Sequence, residues 1–303
     1  MSGILASLRG LVTPATINIA LEGEATRRKI RRPSGEKEGE PLCLYGGKDP
    51  VKGTITVTPL PGKKVDHVGI TCEFLGVIEL FGEKTISNNF VTVTKELEPA
   101  GTLLQTKTYS FDFSNVKKEY ESYYGINANL RYLIVVKIQR SLALNVTEEK
   151  EIYVRVIQTE PESNKTIKMA VGVPGSLHIE FEYSRSRYHL NDCIIGKISF
   201  SDCRLKVKNM EVAILKKETT FQDASAYNES DNLMRFEVMD GAPVKGEIIP
   251  IRMYLKSLDL TPTYPTVNSC FQVRYYLNIV IFDEEDRRYF KQAEITLWRK
   301  DLV

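Results

Sequence analysis

The chain has only three histidines, five cysteines and one tryptophan among its 303 residues, and these shortages rule out much chemistry. His67, His178 and His189 stand in no zinc-ligand spacing, and none adjoins a recognisable Ser or Cys nucleophile motif. The nearest approach to a catalytic pair is His189 with Cys193, four residues apart. One reading makes them a cysteine hydrolase dyad. The other, which their position at a strand-to-turn transition favours, makes Cys193 a structural thiol. No Gly-x-x-x-x-Gly-Lys, Gly-x-Ser-x-Gly or His-Glu-x-x-His is present, so catalysis is not expected and no metal or other cofactor is called for. Cys43, Cys72, Cys193, Cys203 and Cys270 are odd in number and scattered, which predicts buried free thiols in a reducing compartment. No apolar run approaches the roughly 18 residues of a membrane span. The stretch Ile4 to Val12 is short and broken by Arg9, so neither a span nor a secretion signal is expected, and Ser2 removes an N-myristoyl glycine. With 41 Lys and Arg against 39 Asp and Glu, the formal charge of +2 supplies no global field that would gather nucleic acid.

What the chain does have is a repeat. Gly53 precedes the pair Arg131-Tyr132 by 78 residues, and Gly196 precedes Arg274-Tyr275 by the same 78. The offset of 143 is close to half the chain, and Val65, Val68 and Ile70 answer to Val207, Met210 and Val212 after a one-residue gap. Length suits two lobes of about 150 residues, each able to bury a core. Leu177 to Tyr183 alternates apolar and polar residues without a break, which predicts a half-buried strand. Thr54 to Thr58, Ile152 to Ile157 and Ala293 to Trp298 alternate likewise, whereas Leu133 to Val136 is a continuous apolar run that predicts a strand covered on both faces. Roughly fifteen strands are expected and no long helix, so the class is all-β. Residues 1–158 and 167–303 form the expected lobes, with the polar, proline-containing segment 159–166 as linker. Arg32 to Pro41 reads as a polar hairpin loop.

Three segments invite functional readings. Asp283-Glu284-Glu285-Asp286-Arg287-Arg288 is either a cation or acid/base cluster or, as the two adjacent guanidiniums argue, a solvated hairpin tip whose charges offset one another. Arg27-Arg28-Lys29-Ile30-Arg31-Arg32 is a localisation or acidic-lipid patch on one reading and a solvated edge strand on the other. Phe236 to Gly246 carries turn residues at Asp240-Gly241 and Gly246. Yet Val238, Met239, Ala242, Pro243 and Val244 are apolar where a solvated tip is polar. Such a tip suits burial against a partner or against its own lobe.

Taken together, Val171-Gly172-Val173, Leu177 to Tyr183, Tyr188-His189-Leu190, Met239 to Pro243, Ile249 to Arg252 and Arg287 to Gln292 resemble the arrestin-like small subunit of retromer, the vacuolar protein sorting twenty-six family. In the first half the likeness continues through Val65 to Ile70, Lys95-Glu96-Leu97 and Tyr120 to Tyr123, so it covers nearly the whole chain. The resemblance implies two tandem arrestin-like β-sandwich lobes without catalysis, in a peripheral coat adaptor on the cytosolic face of endosomes. It implies that Val238 and Met239 enter a groove of the long α-solenoid subunit, and through it reach the phosphoesterase-like subunit, with Gly241, Ala242 and Pro243 shaping the loop. It also implies that Val171 and Phe290 line an aliphatic pocket for cytosolic cargo tails captured together with a sorting nexin, the tail adding as a strand to a sheet edge. Tyr45-Gly46-Gly47 lacks the acidic residue expected just after the tyrosine, so the likeness does not extend to binding of a PDZ-containing nexin there. The nearest rival resemblances are the arrestin-like subunit of retriever and a general arrestin-type adaptor.

Overall fold

The computed structural model describes residues 14–32, 40–160, 162–222 and 225–300. It divides into two compact units: the first runs to Tyr124 and resumes over Ala128–Val156, and the second comprises Gly125–Asn127 and Ile157–Val303. Twenty strands and one 3-10 turn, Leu255–Ser257, account for the regular structure of the described residues, more strands than the fifteen expected. Part of the excess is in two- and three-residue pieces too short to leave an alternation in the sequence. No helix among the described residues is long and apolar enough to cross a membrane. The stretch Ile4 to Val12 and most of the polar segment Arg32 to Pro41 lie outside the described residues.

In the first unit, β1 (Ala15–Leu21), β4 (Val51–Pro59) and β7 (Lys107–Phe113) form a three-stranded sheet. The larger sheet runs β2 (Lys29–Ile30), β3 (Leu42–Gly46), β10 (Val146–Arg155), β9 (Ala128–Gln139), β5 (Val65–Leu80), β6 (Ile86–Leu103), with β8 (Tyr123–Tyr124) paired to β9. Their inner faces meet where Phe74 of β5 packs on Phe113 of β7, ring centroids 5.7 Å apart. The apolar run of β9 is covered on both faces as expected: Tyr132, Ile134 and Val136 are fully buried within, while Leu133 and Val135 join Val77 in a small outer cluster.

The second unit repeats this plan. Its smaller sheet runs β11 (Ile167–Val173), β12 (Leu177–Tyr183), β14 (Cys193–Cys203), β17 (Ile248–Tyr254). Its larger sheet runs β13 (Arg187–His189), β20 (Arg288–Trp298), β19 (Phe271–Asp283), β15 (Val207–Gln222), β16 (Ser225–Asp240), with β18 (Tyr264–Val267) on β19. Just as β3 pairs parallel to β10 in the first unit, β13 pairs parallel to β20 in the second. Between β10 and β11 the described residues form no strand.

The repeated residues have a common physical cause. Gly53 and Gly196 each occupy a strand paired on both sides, under an aromatic ring. A Cβ on Gly53 would lie 2.2 Å from the Ala20 carbonyl oxygen and 2.7 Å from the Phe111 ring, and one on Gly196 would lie 2.8 Å from the Glu182 carbonyl oxygen and 2.7 Å from Tyr183. Tyr132 and Tyr275 are both buried with their hydroxyls tying down a preceding loop. The Tyr132 hydroxyl donates to the Tyr120 carbonyl (2.9 Å), and that of Tyr275 accepts the Thr261 backbone N–H (3.3 Å). Among the described residues the lobes differ at their sheet edges, and β2 has no counterpart in the second lobe. In register with Gly53 and Gly196, β1 corresponds to β12, so β11 is an additional edge strand of the second lobe.

Candidate functional site

The segment 236–246 is not a loop throughout. Val238 and Met239 lie at the end of β16, half-buried, with Met239 opposite Met210 across the ladder, because the apolar alternation of that strand runs on to Asp240. A bulge between Met210 and Glu211 shifts the register there and twists the strand end. The turn proper is 241–247. Gly241 and Gly246 adopt φ of +99° and +87°, as their turn role requires. The turn is pinned to its own lobe: Gly241 N–H donates to the Lys208 carbonyl (2.7 Å), Gly246 N–H to the Phe200 carbonyl (2.7 Å), and Glu247 accepts the Val244 N–H (2.9 Å). Pro243 is buried by this folding-back, whereas Gly241 and Ala242 stand exposed and Val244 and Ile248 leave 72% and 60% of their surface in water. One apolar residue of the tip thus covers its own lobe, while Ala242, Val244 and Ile248 face outward.

Val171 and Phe290 come from the two edges of the same lobe. Val171, on the added strand β11, points inward opposite Ile179 and is buried. Phe290, on β20, lies opposite Val280 and is 63% exposed, with the Arg288 guanidinium 5.6 Å from its ring. β11 and β20 run close together without pairing. Among the described residues β11 has β12 on one side only, and the Arg288 to Glu294 part of β20 has β19 on one side only, since β13 reaches no further than Thr296. Two stretches of unpaired backbone thus flank an exposed aromatic ring. The sequence reading missed the bareness of these edges, which pairing partners decide.

Around these residues the charges are largely spoken for. Asp283 is not a solvated tip residue: it is buried and accepts the backbone N–H groups of Glu285 (3.0 Å) and Arg287 (2.9 Å), the Arg287 guanidinium (2.7 Å) and the Tyr289 hydroxyl (3.1 Å). Burial acts to raise its pKa, and the Arg287 and Tyr289 bonds overcome this and hold it below the usual carboxylate range. A carboxylate so saturated ties the turn before β20 and is not available to a cation; no metal-sized acid cluster occurs among the described residues. In the basic run, Lys29 and Ile30 do form the edge strand β2, but two arginines are engaged rather than solvated. Arg27 stacks 3.9 Å over the buried Tyr45 ring and bonds Asp49, and Arg32 bonds Glu151 at 2.7 Å. That Glu151 also holds Arg131 and Tyr124, and Arg131 grips Glu79.

The structure does not join His189 to Cys193. The His189 ring packs edge-on to Trp298 at 5.4 Å and its Nδ1 accepts the Asn191 N–H, whereas Cys193 Sγ turns to the Ile194 carbonyl. All five cysteines are free, and Cys43, Cys72 and Cys270 are buried as expected; Cys193 and Cys203 are only half-buried.

A family model described as vacuolar protein sorting-associated protein 26 matches residues 11–286. The chain is 47% identical over 292 residues to vacuolar protein sorting-associated protein 26 of Dictyostelium discoideum, covering 96% of this chain and 84% of that one. It is 46% identical over 299 residues to vacuolar protein sorting-associated protein 26B of Danio rerio, covering 98% and 90%. Against the protein of the same description from Homo sapiens, identity is 43% over 299 residues, covering 98% and 89%. These descriptions concern protein sorting and name no enzymatic activity.

Proposed function

Because the chain belongs to the vacuolar protein sorting-associated protein 26 family, we propose that it is the non-enzymatic, arrestin-like subunit of a retromer coat on the cytosolic face of endosomes, serving retrograde and recycling transport of membrane proteins. In this reading residues 1–158 and 167–303 are its two domains and 159–166 the linker. The second lobe does two jobs. At the end of β16, Val238 and Met239 engage a groove of the solenoid subunit, with Gly241, Ala242 and Pro243 shaping the turn that presents them, and this contact links the chain to the phosphoesterase-like subunit. Half-buried apolar side chains followed by exposed Ala242 and Val244 support this, since such a ridge gains by leaving water while its backbone is already ordered.

At the β11 and β20 edges, a cytosolic tail bearing an aromatic-x-aliphatic motif adds as a strand, assisted by a sorting nexin, with its aliphatic residue between Val171 and Phe290. The observation that carries the reading is Phe290: a largely exposed aromatic beside two unpaired strand edges is costly to keep in water and ready to pair. The test is fluorescence anisotropy of a labelled tail peptide on the complex reconstituted with solenoid and sorting nexin. Phe290→Asp and Val171→Asp are each expected to weaken peptide affinity by about tenfold or more, the penalty for setting a charge against an apolar side chain. Unchanged affinity in both variants would sink the cargo assignment.

A further inference from the structure

One end of the first lobe gathers apolar side chains that none of the lobe's described residues covers. Leu142 and Leu144, in the tip that joins β9 to β10, leave 99% and 72% of their surface exposed; Leu104, between β6 and β7, leaves 71%; and Val68, near the start of β5, leaves 54%. Strand register brings the three connections to one place. Gly69 pairs with both Gln139 and Pro99, and Val65 with Leu103, so the start of β5, the end of β6 and the β9–β10 tip share the same end of the large sheet. The turn before β5 adds Lys63 and Lys64, both exposed, and Arg140 opens the tip. None of these three cations is paired with a carboxylate among the described residues; of the carboxylates nearby, Glu98 is held by Lys107 and Tyr109, while Asp66 accepts only the neutral Thr102 hydroxyl at 2.6 Å and keeps its charge.

We propose that this end of the first lobe is a direct lipid-binding face that seats on the anionic leaflet of a bilayer. Leu142 and Leu144 enter the interfacial region, Leu104 and Val68 follow at its rim, and Lys63, Lys64 and Arg140 meet the headgroups. The shape argues for lipid over protein. Leu142, Leu144 and Leu104 sit in connections between strands rather than in a groove, and a protein partner would need a matching cavity, whereas a bilayer deforms around such tips. The combination matters as well, because a few apolar side chains or a few cations alone bind membranes weakly and the two signals together suffice. The run Arg27 to Arg32 is a poorer candidate. It lies toward the other end of the sheet, where β3 meets Tyr153 to Arg155, and Arg27 and Arg32 already hold partners.

The test is co-sedimentation of the full chain with phosphatidylcholine vesicles and with vesicles carrying about 20 mol% phosphatidylserine, at about 0.1 M salt. Preferential partitioning onto the anionic vesicles is expected. The double variant Leu142→Ser with Leu144→Ser should lower that partitioning by about tenfold, and Lys63→Glu with Lys64→Glu should lower it comparably. These residues are exposed, so folding should survive, which an unchanged thermal melt followed by far-ultraviolet circular dichroism checks for both lobes. Arg28→Glu with Arg31→Glu, at the other end, should leave partitioning unchanged. The proposal is overturned if the wild-type chain does not partition, if the leucine variant partitions like wild type, or if only the Arg28 and Arg31 variant loses binding. Loss of a protein contact by the leucine variant without any vesicle binding would likewise overturn it and assign the tip to protein docking.

Discussion

Replacing Gly196 by alanine should destabilise the second lobe far more than one methyl group suggests. The new Cβ would fall 2.8 Å from the Glu182 carbonyl oxygen and 2.7 Å from the Tyr183 ring. Neither can yield cheaply. Glu182 is paired to Lys197 in the β12–β14 ladder, and Tyr183 is fully buried against the core. Overpacking a well-filled interior costs about 1–3 kcal/mol, and a clash that includes backbone belongs at the upper end. Gly175 provides the internal comparison. Its φ is +73° and a Cβ there would have nothing within 4 Å, so alanine meets only left-handed strain of about 1–2 kcal/mol. The chain has a single tryptophan, Trp298, on β20 of the same lobe, so its fluorescence reports that lobe's unfolding in urea. With an m-value near 2 kcal/mol/M, a loss of about 3 kcal/mol for Gly196→Ala lowers the midpoint by about 1.5 M, against about 0.5–1 M for Gly175→Ala. If Gly196→Ala costs no more than Gly175→Ala, the close-approach explanation of the repeated glycine is wrong, for Gly53 as well.

Asp283 should make stability fall in acid. Its folded pKa lies below its unfolded value, so the stability it contributes is present above the ordinary carboxylate range and is lost as pH falls through the folded pKa. The urea midpoint measured between about pH 5 and pH 2 should therefore drop less in Asp283→Asn than in wild type, and identical profiles would contradict the assignment. Cys72 should resist a thiol reagent at pH 8 in the native chain, because burial pushes its pKa up to about 12 and leaves no surface exposed. Mass spectrometry after brief alkylation should find Cys193 modified well before Cys72, and prompt modification of Cys72 would show that β5 opens.

Much of this architecture is legible in the sequence because alternation is a local signal. Leu177 to Tyr183 and Ala293 to Trp298 carry their burial pattern in the letters, and the matching spacing of Gly53 and Gly196 points to two lobes without any knowledge of their shared topology. The letters place Val238 and Met239 in a loop, because Asp240-Gly241 marks the turn but not how far the strand runs toward it. Asp283 departs from its sequence expectation for a different reason. A row of four carboxylates looks solvated in sequence, and only the turn at 283–287, where Asp286 has φ of +58°, folds the first of them under the others' backbone. The edge character of β11 and β20, which makes Val171 and Phe290 neighbours of unpaired backbone, depends on which strands are absent beside them. No local pattern encodes that.

The central claim is that the β16–β17 turn joins the chain to a solenoid subunit, and isothermal titration against the N-terminal part of a retromer solenoid tests it most directly. Met239→Asp and Ala242→Asp are titrated beside wild type. The alanine site is exposed, so its variant leaves the free lobe intact, while both variants carry an unpaired charge into the contact. Tight binding by wild type with losses of about 3 kcal/mol or more in both variants is the predicted result. Wild-type binding that neither substitution disturbs would move the contact elsewhere on the chain, and no binding by wild type would contradict the retromer reading itself.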